Sequence, residues 1–140
     1  IVDYVQRVVP EFHDFYLELA NGNISLKWTD NSVNDYVLSS DQFSDGSIRF
    51  IALATLLLQP EKTMPNVIII DEPELGLHPY AIEQLTEMIK DASLHAQIIA
   101  ATQSPTLIDG FDMDDVTIIE RDEDNQCTMV NKLDKDGQIK

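Results

Sequence analysis

The sequence predicts an α/β domain: a mainly parallel sheet flanked by helices, with an antiparallel strand pair at the end of the chain. Three observations carry this. Residues 67–70 form a continuous β-branched run, the pattern of a strand covered on both faces in a parallel sheet. Residues 97–101 form a second apolar run that ends in small polar residues. A helical stretch over roughly residues 80–92 separates the two and gives the βα alternation of a layered sheet.

Residues 2–19 have helical periodicity, with Val5, Val8, Val9, Phe12, Phe15, Tyr16 and Leu19 as candidate core positions. Pro10 is expected to kink or divide that helix, because it lacks an N–H and crowds the preceding turn. Asn21-Gly22-Asn23 is a strong turn, and residues 24–28 alternate like a half-buried strand. A further turn over residues 31–34 leads into Tyr36-Val37-Leu38, so these two strands read as a hairpin.

A polar loop then enters an apolar helix, residues 51–58, whose first turn starts at Ser47 with Ser44 or Asp45 as N-cap. Gly46 lets the backbone approach a ligand or take a turn that a side chain would obstruct. The free amides and partial positive charge of a helix amino terminus make Ser44, Gly46 and Ser47 candidate phosphate contacts. An ordinary capped helix fits the same residues.

The strand over residues 67–70 ends in Asp71-Glu72-Pro73, which sets two carboxylates at the carboxyl edge of the sheet, where open α/β folds bind ligands. Asp71 would sit near a magnesium ion and Glu72 would polarise an attacking water in nucleoside triphosphate hydrolysis. A strand ending in a solvated acidic turn would carry the same residues. Beyond them, residues 74–79 form a turn, and Pro79 suits the first turn of the next helix. Residues 116–120 and 128–132 read as two strands around an acidic turn, forming an antiparallel extension at the sheet's edge. Residues 135–140 are expected to fray.

The 140 residues are enough for a sizeable core and predict one domain. No apolar run approaches the roughly 20 residues of a membrane span, and no basic n-region with an apolar stretch opens the chain. The single cysteine, Cys127, excludes an internal disulfide and fits a reducing, cytoplasmic compartment. A net charge of −16 argues against direct nucleic-acid binding, which rests on Lys and Arg neutralising phosphates. The acidic cluster near the end, from Asp112 to Asp124, reads as a solvated loop. His13, His78 and His95 lack metal-ligand spacing with one another or with the cysteine.

In order and spacing, three motifs resemble the carboxyl-terminal half of an ABC-type ATPase head, most closely the SMC/RecF-like branch of the AAA-type P-loop NTPases. That branch carries a serine-acid-glycine signature, a DEPE…LHP Walker B and a THSP switch. The matching residues are Ser44-Asp45-Gly46, Asp71-Glu72-Pro73-Glu74 with Leu77-His78-Pro79, and Thr102-Gln103-Ser104-Pro105. The likeness spans residues 39–108 and divides the domain into a helix plus hairpin (1–38), the three motifs (39–110) and a terminal strand pair (111–140). No glycine is followed by lysine, so the chain holds no G-x-x-x-x-G-K-[ST] segment to cradle phosphates. Because it begins at Ile1 rather than Met, it is expected to belong to a longer protein whose amino-terminal part supplies the P-loop.

The resemblance implies ATP as substrate, Mg2+ held by Asp71, and Glu72 as general base. It places Gln103 on the γ-phosphate or attacking water. Ser44, Asp45, Gly46 and Ser47 would complete the ATP site of the opposite subunit in a head-to-tail homodimer, with Gly76, Leu77 and His78 as the D-loop at its interface. DNA or an effector protein would be engaged through regions outside this chain. Many relatives have histidine where Gln103 stands; glutamine still donates and accepts hydrogen bonds but cannot carry a positive charge. The competing reading is therefore an ATP-gated dimerisation module with little or no hydrolysis that controls a fused or bound effector. A third is an unrelated α/β fold sharing the motifs by chance.

Overall fold

The computed structural model describes residues 1–31, 36–122, 124 and 126–132, in two compact units, Ile1–Gln103 and Ser104–Lys140. In the first unit, helix α1 (Val2–Val8) leads into an antiparallel meander of β1 (Phe12–Ala20), β2 (Asn23–Asp30) and β3 (Val37–Ser39). Helix α2 (Asp45–Leu57) follows, then β4 (Val67–Asp71), α3 (Pro79–Ser93) and β5 (Gln97–Ala101). Strands β4 and β5 pair in parallel, with Val67 opposite Gln97 and Asp71 opposite Ala101. The second unit holds a short helix, α4 (Pro105–Ile108), and the antiparallel pair β6 (Thr117–Asp122) and β7 (Cys127–Lys132).

The expected helix over residues 2–19 is corrected. It ends at Val8, and Phe12, Phe15, Tyr16 and Leu19 lie on β1. Pro10 stops the helix, and the turn at Asn21 (φ 52°) and Gly22 (φ 79°) folds β2 back onto β1. Both turn residues adopt the positive φ that Asn-Gly hairpins supply. Phe12 is fully buried, whereas Tyr16 and Leu19 are exposed and do not belong to the core. The predicted pairing of residues 24–28 with residues 36–38 holds: Trp28 lies opposite Leu38 in the β2–β3 ladder.

An aromatic cluster fastens the meander to the helices. Val5, Phe12, Trp28, Phe43 and Ile51 form one buried group, with the Trp28 and Phe43 rings stacked at 4.6 Å. A second apolar layer joins α2 to α3, and Phe50, Leu57, Leu85 and Met88 are essentially solvent-free. Arg7 ties α1 to α3 by donating to Gln84 Oε1 at 2.9 Å.

Burial along β4 and β5 differs from expectation. Ile68 is 4% exposed, but Val67 (48%), Ile69 (74%) and Ile99 (47%) are open. The described elements therefore cover one face of this ladder, not both. The terminal strands pair as predicted, yet they form a separate two-stranded sheet and no edge extension of another described sheet. Residues 32–34 of the second turn, Glu123 and Asn125 of the acidic turn, and residues 135–140 lie outside the described residues. No helix among the described residues is long and apolar enough to cross a membrane.

Candidate functional site

The parallel ladder of β4 and β5 continues one step past the strands, where Glu72 N donates to Ala101 O at 2.8 Å. At that point the backbone of Glu72 turns left-handed, with φ at 43°. Glutamate has no side-chain group short enough to favour this region, so the conformation carries strain of about 1–3 kcal/mol. It persists because its neighbours are fixed: Ala101 holds its N–H, its carbonyl accepts from Leu75 N at 3.2 Å, and Pro73 is fully buried. Asp71 stays exposed at the strand end, and the Glu72 residue is half-buried.

Glu74 joins this turn to the end of β5. Its Oε1 accepts a hydrogen bond from Thr102 Oγ1 at 2.5 Å, while its Oε2 is buried without a hydrogen-bond partner among the described residues. Gln103, next along the chain, is exposed. The predicted catalytic pair, Glu72 and Gln103, thus lies on two loops that one short hydrogen bond fastens together.

The second cluster forms where α2 begins. Ser44 is the N-cap, its Oγ accepting from Ser47 N at 3.1 Å and lying 2.8 Å from Ser47 Oγ. Of the two caps the sequence allowed, Ser44 is the one used. Gly46 packs directly on the turn after β4, where a Cβ would collide with the carbonyl oxygen of Gly76. Its freedom thus serves contact with the chain's own backbone. Arg49 adds a second tie by donating to Leu75 O at 3.0 Å. Gly76 adopts φ 78°, and Pro79 starts α3 with His78 as N-cap, its Nδ1 accepting from Tyr80 N at 3.4 Å.

Ser44, Gly46 and Ser47 therefore face Gly76, Leu77 and His78 across a cleft of about 200 Å³. The structure brings together the predicted signature and D-loop residues, with the exception of Asp45, which is exposed and does not line the cleft. A larger cavity of about 320 Å³ lies at the opposite ends of α2 and α3, beside Leu57, Met64 and His95, and holds none of the predicted site residues.

Sequence reasoning gave Glu74 and Arg49 no role. Their positions, two residues after Glu72 and one helical turn after Asp45, were the available signal. For the magnesium that the motifs imply, Asp71 is the one carboxylate this strand end offers to solvent. Among the described residues no three acidic, histidine or cysteine side chains cluster as a metal cage, and Asp71 offers a single exposed carboxylate. Magnesium is commonly held this way, by one or two carboxylates with substrate phosphates and water completing its octahedron.

Residues 1–109 match the family model described as AAA domain, putative AbiEii toxin, Type IV TA system. No curated protein matches the chain. Among solved structures, the fold is similar to one described under ATP-driven dimerization and DNA stimulated activation of SMC ATPases, with TM-score 0.70 and 17% identity over 97% of this chain and 82% of that one. It is also similar to an SmcHead bound to the C-winged helix domain of ScpA, with TM-score 0.73, 16% identity, and coverage of 96% and 42%. The SMC head domain from Thermotoga maritima gives TM-score 0.64, 16% identity, and coverage of 95% and 45%. The chain spans less than half the length of these last two. The fold is that of an SMC ATPase head domain.

Proposed function

The chain belongs to this AAA domain family, and from that premise we propose that it is part of an ATP-hydrolysing head that works as a magnesium-dependent nucleotide-sandwich dimer in the intact protein. The observation that carries this reading is Glu72, held in strained left-handed backbone beside Asp71 and fastened through Glu74 and Thr102 to the loop bearing Gln103. Strain kept at one acidic residue at a sheet's carboxyl edge is characteristic of a functional position.

The chemistry follows from where charge develops. Phosphoryl transfer needs positioning and electrostatic stabilisation more than covalent participation. Asp71 would hold magnesium, whose charge offsets that on the β- and γ-phosphates. Glu72 accepts the proton of the attacking water as general base, and the Gln103 amide orients that water or the γ-phosphate. Ser47 and the free amides at the start of α2 contact the γ-phosphate bound by the other subunit, with Ser44 shaping the turn and Gly46 keeping the helix end close to Gly76. The phosphate cradle comes from outside residues 1–140, which contain no G-x-x-x-x-G-K-[ST]. These 140 residues alone are accordingly expected to be inactive. The ATP-driven dimerization described for SMC ATPases supports the sandwich arrangement.

Gln103 favours the second reading, a nucleotide-gated dimerisation module with little hydrolysis, because an amide cannot shuttle a proton. Sedimentation and phosphate release by the full-length protein with Mg-ATP separate the two. ATP-dependent dimers with turnover are expected. Dimers without turnover would favour the second reading, and neither behaviour would overturn both.

A further inference from the structure

We propose that Glu74 is a positioning residue whose carboxylate clamps Thr102, so that the end of β5 carries Gln103 in fixed register with Glu72. This rests on the ATPase reading and adds to it a residue that need not touch nucleotide.

The two loops diverge after the Glu72 N to Ala101 O bond, the last backbone link of the ladder. Beyond it, the Thr102 Oγ1 to Glu74 Oε1 bond of 2.5 Å joins residues 28 positions apart in sequence. Glu74 follows Glu72 by two residues across a fully buried proline, and Thr102 directly precedes Gln103. A shift of either loop therefore changes the separation of the proposed base from the group proposed to orient its water. At 2.5 Å the bond is short enough to hold the two loops in one register.

The second carboxylate oxygen shows that this side chain is not placed here for stability. Glu74 Oε2 is buried with no hydrogen-bond donor among the described residues. A buried acceptor left without a donor opposes folding. Stability alone would favour a smaller or apolar residue at this position. What the side chain gains is an acceptor that reaches across to Thr102.

The test uses the full-length protein and four single variants, with the double variant. Glu74→Ala and Thr102→Val should each lower kcat about tenfold or more with the KM for ATP little changed, since misplacing catalytic groups by about 1 Å costs up to about a hundredfold. The double variant should lose no more than the worse single one, because one bond is removed either way. Glu74→Gln and Thr102→Ser keep an acceptor and a hydroxyl and should restore kcat to within about threefold of wild type. Unchanged kcat in Glu74→Ala, multiplying losses in the double variant, or KM rising in step with the loss of kcat would overturn the clamp.

Hydrogen exchange over residues 100–104 provides a readout that needs no turnover. Glu74→Ala should speed exchange there about tenfold, whereas Glu74→Gln should leave it unchanged; equal protection in all three proteins would overturn the clamp. Wild-type protein that hydrolyses no ATP would overturn the ATPase reading, and the exchange comparison would still decide the clamp.

Discussion

Replacing Gly46 with alanine separates two roles for the small residue at the start of α2. Were its freedom needed only for a ligand, alanine in the first turn of a helix would be neutral or would stabilise the fold by up to about 1 kcal/mol through helix propensity. The structure predicts the reverse. A Cβ at Gly46 collides with the Gly76 carbonyl, a backbone atom in a turn fixed by the Glu72 O to Leu75 N and Glu74 O to Leu77 N bonds. Relief requires the α2 end to move away from that turn, which stretches the 3.0 Å Arg49 to Leu75 O hydrogen bond. Overpacking of this kind costs about 1–3 kcal/mol, and the weakened hydrogen bond adds about 0.5–1.5 kcal/mol. Against a propensity gain of at most about 1 kcal/mol, the net loss is about 0.5–4.5 kcal/mol. At this chain length that corresponds to a fall in Tm of several degrees. Urea and thermal unfolding of Gly46→Ala measure it, followed through Trp28, which is only 5% exposed in the unit concerned. Gly76→Ala is the control: it meets no atom within 4 Å and is penalised only by its φ of 78°. A Gly46→Ala protein as stable as wild type would refute the packing argument.

Substituting Glu72 by asparagine, which tolerates left-handed backbone, should stabilise the protein by about 0.5–1 kcal/mol in urea unfolding while removing turnover; a loss of stability would mean that the turn is not strained. Tyr4 gives a pH dependence. Burial first, and then the nearby Asp91 carboxylate, raise its pKa above 10.0, and its hydroxyl donates to Asp91 Oδ2 at 3.3 Å. The folded value exceeds the unfolded one, so this contribution is full below pH 10 and is lost as pH rises through the raised pKa. Tyr4→Phe should flatten that alkaline loss of Tm, and an identical alkaline profile would contradict the tie.

Local chemistry made much of this fold legible. The β-branched run at residues 67–70, Pro79 at a helix start and Ser44 as a cap act within a few residues of themselves, and the corresponding elements are present. Strand β1 was not legible because Phe12, Phe15, Tyr16 and Leu19 recur at the i, i+3, i+4, i+7 spacing of a helix, although they lie on a strand. Its state is decided by pairing with β2 and by the Phe12, Trp28 and Phe43 rings, which are distant in sequence. The same holds at the candidate site. Asp71, Glu72 and Gln103 could be nominated from their motifs, but the Glu74–Thr102 bond, the Gly46–Gly76 approach and the Arg49–Leu75 tie each join separate segments. The left-handed backbone of Glu72 is likewise imposed by its surroundings.

The role of Glu72 as the base of an ATPase is tested most directly by phosphate release from the full-length protein with Mg-ATP, wild type against Glu72→Gln. A fall of about a hundredfold or more with ATP-dependent dimerisation retained is the predicted result. Turnover that survives the substitution unchanged would contradict it.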